Sequence, residues 1–172
     1  MFKLNLEQVF NIENEKLELD HSLDLSEVVI SEEHPFKTPV TVKGYIMNVA
    51  QVVFMDAEIN AEYYSLCNRC AEPVVKKLTV PMAHTFVTEL NNSEDNDEFI
   101  VIPDMILDID ELMTEDVMLN VPSKVLCRED CLGLCPHCGK NLNDGPCNCK
   151  KEVDPRLADL LTLLDDDDSD EQ

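Results

Sequence analysis

Eight of the 172 residues are cysteines, and their spacing is where chemistry could reside. Cys135 and Cys138 form a Cys-x-x-Cys followed by Gly139, and Cys147 and Cys149 follow in a turn opened by Gly145 and Pro146. Two intervening residues let both thiolates face one ion while N–H groups of the turn reach the sulfurs, and glycine accepts the tight backbone that this requires. Together the four cysteines complete a tetrahedral shell of the kind that holds Zn2+. Cys67 and Cys70 form another Cys-x-x-Cys, and Cys127 and Cys131 a Cys-x-x-x-Cys far along the chain. These read as a split all-cysteine site that staples the body of the protein to its carboxyl-terminal segment. Spacing leaves alternatives open: Cys127 or Cys131 could serve the other ion, His137 could replace a cysteine, and one Zn2+ rather than two could be bound.

Other chemistry fits less well. A thioredoxin-like dithiol would follow a strand and open a helix, whereas strand residues follow Cys70. A catalytic zinc keeps an open position and recruits histidine or carboxylate beside a general base, but the shells expected here are closed. His21, His34 and His84 are scattered with no partner motif, and there is no Gly-rich phosphate loop, Gly-x-Ser-x-Gly or HExxH. The chain therefore reads as non-enzymatic. Cysteines in pairs, with no export signal in Met1 to Phe10, point to a reducing, cytoplasmic setting. No apolar run approaches the roughly 18 residues of a membrane span.

The elements that must position these cysteines are mostly strands. KLELDHSLDL (16–25) alternates as a half-buried strand, and Met1 to Ile12 fits either strand or short helix. VTVKGYIMNV, VVFMDAEINAEYYSL and VVKKLTVPMAHTFV are rich in β-branched and aromatic residues and read as an antiparallel meander. CNRCAEP joins the last two, which places Cys67 and Cys70 on a tight connection. Gly44 signals a bulge or a close backbone approach, and Pro81 an edge or an interruption. ELNNSEDNDE (89–98) reads as a loop, and Phe99 to Ile102 as a short strand. Between Asp108 and Val121, Ile109, Leu112, Met113, Val117 and Val121 recur at helical spacing, which predicts an amphipathic helix ending before Pro122. A last helix is expected from Asp154, an N-cap followed by Pro155, and DDDDSDEQ is too acidic to fold.

Thirteen basic against 36 acidic residues give a formal charge of −23, which excludes binding of nucleic acid by a general positive field. Nine of the thirteen basic residues nevertheless gather near the cysteines: Arg69, Lys76, Lys77, Lys124, Arg128, Lys140, Lys150, Lys151 and Arg156. They serve either to offset thiolate charge or to form a small patch facing RNA or a partner. The acids are solvated surface or an attractor for a very basic protein.

CNRCAEP, the acidic loop, DIDELMTEDVMLNVP and LCREDCLGLCPHCGKNLNDGPCNC with DPRLADLLTLL together resemble the YceD-like large ribosomal RNA subunit accumulation proteins of bacteria and plastids. The resemblance implies a role in accumulation or processing of the large-subunit (23S) rRNA, within ribosome biogenesis and without an established catalytic reaction. The expected fold is α+β: a curled antiparallel β-sheet with a covering helix and a C-terminal Cys-rich zinc-binding segment. The expected organisation is a β-rich domain over 1–121, a zinc-binding segment with a terminal helix over 122–164, and an acidic tail over 165–172. Expected partners are large-subunit precursor rRNA, a basic large-subunit ribosomal protein, or both.

Overall fold

A computed structural model describes residues 1–50, 52–89 and 99–149. In chain order it contains β1 (Lys3–Asn5), α1 (Glu7–Asn11), β2 (Lys16–Leu23), β3 (Val40–Val49), β4 (Val52–Leu66), β5 (Pro73–Val87), β6 (Phe99–Val101), β7 (Ile106–Asp108) and α2 (Ile109–Leu119). A 3-10 turn follows at Leu142–Asp144. The segment left open at the amino terminus is thus both strand and helix. The helix and tail expected beyond Asp154, and all but Glu89 of the acidic loop, lie outside the described residues.

Alternation dictates the main sheet. Along β4, Val53, Met55, Ala57, Ile59, Ala61 and Tyr63 face inward, while Phe54, Asp56, Glu58 and Asn60 face water. β2, β3, β4 and β5 pair antiparallel in that order, with β4 and β5 in register from Val53–Phe86 to Leu66–Pro73. Gly44 sits opposite both Leu19 and Ala57 in unbroken register. A methyl group there would overlap the Ala57 backbone and the Asp56 carbonyl, so the glycine serves close approach rather than a bulge. Pro81 faces Glu58 on β4 in unbroken register, and β6 pairs only with Thr85 to Val87, so Pro81 neither interrupts β5 nor lies in the part of it that β6 pairs.

Two expectations about the sheet are corrected. It is mixed rather than antiparallel, because β6 pairs parallel to β5 from Thr85–Phe99 to Val87–Val101. Eleven residues of sequence separate Val87 from Phe99, far more than the two-residue turn that can join antiparallel neighbours. Nor is it curled: the order β2-β3-β4-β5-β6 is open, with β2 and β6 at opposite edges. Among the described residues the apolar cluster lies on one face of this open sheet.

That covered face carries the core. Ile109, Leu112, Met113 and Val117 of α2 join Val42, Ile46, Val53, Ile59, Met82 and Phe86 in one apolar cluster. Asp108 caps α2 by accepting from the Glu111 N–H. Two histidine–aspartate pairs fasten the helix across the sheet: His21 of β2 meets Asp110 at 2.8 Å, and His84 of β5 meets Asp116 at 2.7 Å. The Asp110 carboxyl is raised by burial, yet bonds from His21, the Met1 amine and the Phe2 N–H outweigh this and hold it below the ordinary carboxylate range. Buried Asn48 donates to the carbonyls of Val9 and Phe10, which satisfies the end of α1. A second sheet, β1 paired antiparallel with β7, closes one end of the core.

Candidate metal centres

The β4–β5 hairpin projects its connection, residues 67–72, beyond the last ladder pair, Leu66–Pro73. There the Cys67 N–H donates to the Glu72 carbonyl at 2.8 Å and the Ala71 N–H to the Cys67 carbonyl at 2.9 Å. Cys135 to Lys140 repeats the pattern: Cys135 N–H to the Lys140 carbonyl at 2.8 Å, and Gly139 N–H to the Cys135 carbonyl at 2.9 Å. The residue after each second cysteine is left-handed, Ala71 at φ 59° and Gly139 at φ 70°. Each turn thereby points two sulfurs the same way.

The fold brings Cys67 and Cys70 to Cys127 and Cys131, and Cys135 and Cys138 to Cys147 and Cys149, with the four sulfurs of each quartet within 4.8 Å of one another. Cys67 and Cys131 lie 3.8 Å apart, Cys70 and Cys127 3.5 Å, Cys135 and Cys147 3.4 Å. A disulfide needs about 2.05 Å. A tetrahedron with Zn–S near 2.3 Å puts its sulfurs about 3.8 Å apart, so both donor sets fit Zn2+ in size and chemistry. The quartets are those expected from spacing; His137 joins neither.

Electrostatics within the quartets is lopsided. Burial pushes the Cys67 thiol up, but N–H groups of Arg69, Cys127 and Cys70 prevail and bring it to about 6. The N–H groups of Cys138 and His137, with the Cys147 thiol, bring Cys135 to about 6. At Cys70 the Glu72 N–H lowers the thiol, but burial and the neighbouring sulfurs overcome it and push it up to about 12. The Cys138 side chain, burial and Cys135 push Cys149 up to about 12. In the first quartet Cys131 is also lowered, chiefly by the Asn143 side chain, and Cys127 raised, chiefly by burial, so thiols favoured as thiolates stand beside thiols that resist ionisation, the charge problem that a divalent cation resolves.

The clusters are not independent. Asn143, in the loop between the ligand pairs of the second quartet, donates to the Cys131 sulfur of the first at 3.4 Å. The same side chain accepts from the Leu132 N–H at 2.8 Å, and its neighbour Asn141 donates to Glu72 at 2.8 Å. Leu134 N–H reaches the Arg69 carbonyl at 3.1 Å, and Gly133, at φ 77°, lies against that same carbonyl. Asn68 bonds both ways with Val125. Sequence reasoning missed Asn68, Asn141 and Asn143; the run NLN between two ligand pairs was the available signal, since short amides in a tight loop turn back on backbone and sulfur.

The nine basic residues divide. Arg69 turns its guanidinium to the carbonyls of Cys131, at 2.8 Å, and Glu129, at 3.4 Å, so it braces the first cluster. Lys140 donates to the Pro146 carbonyl at 2.9 Å inside the second loop. Arg128 lies 3.6 Å from Asp130. Lys76 and Lys77 stand exposed on β5 just past the hairpin tip, and Lys124 is exposed beside Val125. Lys150, Lys151 and Arg156 lie outside the described residues.

Fold and clusters define a β-sheet protein whose hairpin tip meets the carboxyl-terminal segment at one four-cysteine group, with a second such group inside that segment. Residues 55–164 match the family model described as Large ribosomal RNA subunit accumulation protein YceD, and the chain belongs to that family. It is 27% identical to the uncharacterized protein YlbN of Bacillus subtilis over 96% of this chain and 98% of that one. It is 29% identical to an uncharacterized protein of Mycobacterium tuberculosis over 69% of this chain, and the match spans only 59% of that relative's length. A chloroplastic protein of Arabidopsis thaliana, named Large ribosomal RNA subunit accumulation protein YCED homolog 1, is 24% identical over 70% of this chain and 46% of its own. No solved structure matches. No helix among the described residues is long and apolar enough to cross a membrane.

Proposed function

We propose that the protein is a non-enzymatic ribosome-biogenesis factor of the cytoplasm that supports accumulation and processing of large-subunit (23S) rRNA, with each cysteine quartet holding one structural Zn2+. The observation that carries this is the closed shell: four sulfurs converge in each quartet with no histidine or carboxylate among them. A bound Zn2+ would supply charge neutralisation and a crosslink. The chain's own residues do the rest. Cys67 and Cys70 hold the hairpin tip, Cys127 and Cys131 tether the segment that follows α2, and Arg69 and Asn143 fix its carbonyls and sulfur.

This arrangement gives exposed Lys76, Lys77 and Lys124 a rigid mount from which to meet precursor rRNA, while the net charge of −23 discourages indiscriminate adsorption. A second reading, an interaction module or chaperone for a basic large-subunit ribosomal protein, is favoured by the outer face of the sheet. Glu18, Asp20, Asp56, Glu58 and Glu62 share that face.

Elemental analysis and RNA crosslinking on one preparation test both parts. The expected result is two zinc ions per chain and crosslinked large-subunit precursor segments, with recovery lost when Lys76, Lys77, Lys150 and Lys151 are changed to glutamate. A fully ordered, metal-free protein sinks the zinc reading. Absence of RNA with salt-sensitive copurification of a basic ribosomal protein turns the function to the second reading.

A further inference from the structure

We infer that the groove between α2 and the strands β6 and β7 is a docking site for a basic, apolar-containing segment of a protein partner, which deepens the second of the two readings above. Two adjoining hollows of about 420 and 470 Å3 lie there and share Glu111 and Glu115 in their walls. Ile100 and Leu112 line the larger hollow, and Met118 the smaller. Ile106, in the larger hollow, and Met118 are each 41% exposed, so apolar surface is available to an occupant.

Glu111 and Glu115 project four residues apart on one helix face, where like charges repel. Both are exposed, and neither has an ion pair among the described residues. Asp110, by contrast, is engaged by His21 and the amino-terminal amine. Among the described residues the cations lining the groove are Lys3 and the Met1 amine, and the amine is already committed to Asp110 at 3.0 Å. Carboxylates without partners above an apolar floor select a cation beside an apolar side chain, the pattern of a Lys- or Arg-rich peptide with interspersed Leu or Ile. A phosphate backbone would meet the same two carboxylates and be repelled. None of the groove residues belongs to a cysteine quartet, so the site does not depend on metal.

Fluorescence anisotropy with a labelled Lys/Leu peptide of about 15 residues tests this on the full chain, beside a Lys/Ser peptide of equal charge and a single-stranded oligonucleotide. The Lys/Leu peptide is expected to bind more tightly than the Lys/Ser peptide, and Glu111→Lys with Glu115→Lys to weaken it about tenfold or more. Ile106→Ser with Met118→Ser should erase the preference for Leu. Asp56→Lys with Glu58→Lys makes the same charge change on the outer sheet face and should leave the preference for Leu and most of the affinity intact. Equal weakening by both charge reversals overturns the groove but leaves the protein-partner reading standing. Failure of both peptides to bind overturns both, and groove-dependent binding of the oligonucleotide replaces the proposed occupant.

Discussion

The turns at Cys67–Glu72 and Cys135–Lys140 carry the same pair of backbone hydrogen bonds, yet they are built in different surroundings. The first caps two strands of 15 residues each, and Cys67, Cys70 and Cys131 are buried with Val74 and Leu126 packed against them. The second sits in a segment whose regular structure is one 3-10 turn and an isolated bridge, with Cys138 exposed. Where a long ladder already dictates the turn, a left-handed alanine is tolerated at position 71, although such a conformation costs an L-residue about 1–2 kcal/mol. Where the local chain must make the turn itself, glycine stands at 139. Shape comes from the scaffold in the first cluster and from the turn and its proposed metal in the second.

The largest expected effect comes from removing ligand pairs. Cys67→Ser with Cys70→Ser cuts a crosslink to Cys127 and Cys131, about 60 residues along the chain; by analogy with covalent loops this costs about 2–5 kcal/mol. The melting temperature should fall by roughly 10 °C. Cys135→Ser with Cys138→Ser should strip hydrogen-exchange protection from residues 132–149 while β3 to β5 stay protected. Equal global melting shifts for the two pairs would break the contrast between a scaffolded and a self-made site.

Asn143→Leu should come next. It leaves every thiolate in place but removes the donor that lowers the Cys131 thiol, and should weaken metal retention at the first cluster about tenfold in a chelator competition. An unchanged release rate at Cys131 would show that the clusters do not support one another.

The smallest effect is the exchange of the two turn residues. A methyl group at Gly139 meets no heavy atom within 4 Å, so Gly139→Ala isolates the backbone cost, about 1 kcal/mol. Ala71→Gly relieves the same conformation but loosens the unfolded chain, for a net gain of about 0.5 kcal/mol. Thermal melts of the two variants should move in opposite directions.

Much of the fold was legible because burial is one-sided. Alternation marked β2 to β5 almost to the residue, and the helical spacing of Ile109, Leu112, Met113 and Val117 marked α2. β7 was hidden because its three residues run directly into Asp108, the cap of α2, and are too short to show a period. The parallel partnership of β6 was equally hidden, since three residues after a long connection carry no sign of direction. Arg69 read as either an offset to thiolate charge or part of a patch facing RNA or a partner, and nothing local named the carbonyls of Cys131 and Glu129 that claim it from some 60 residues away. His21 and His84 gave no hint of Asp110 and Asp116 for the same reason.

The sequence by itself determined what a few neighbouring residues decide: the two Cys-x-x-Cys turns, the strand faces, the helix and its cap. Steric limits on the backbone and the period of each element act over a handful of positions. Which cysteine pair meets which, which edge β6 joins, and which carboxylate receives each histidine were decided only when the sheet and α2 packed. Those choices depend on closing long loops around a shared core, and no local pattern records the distance across it.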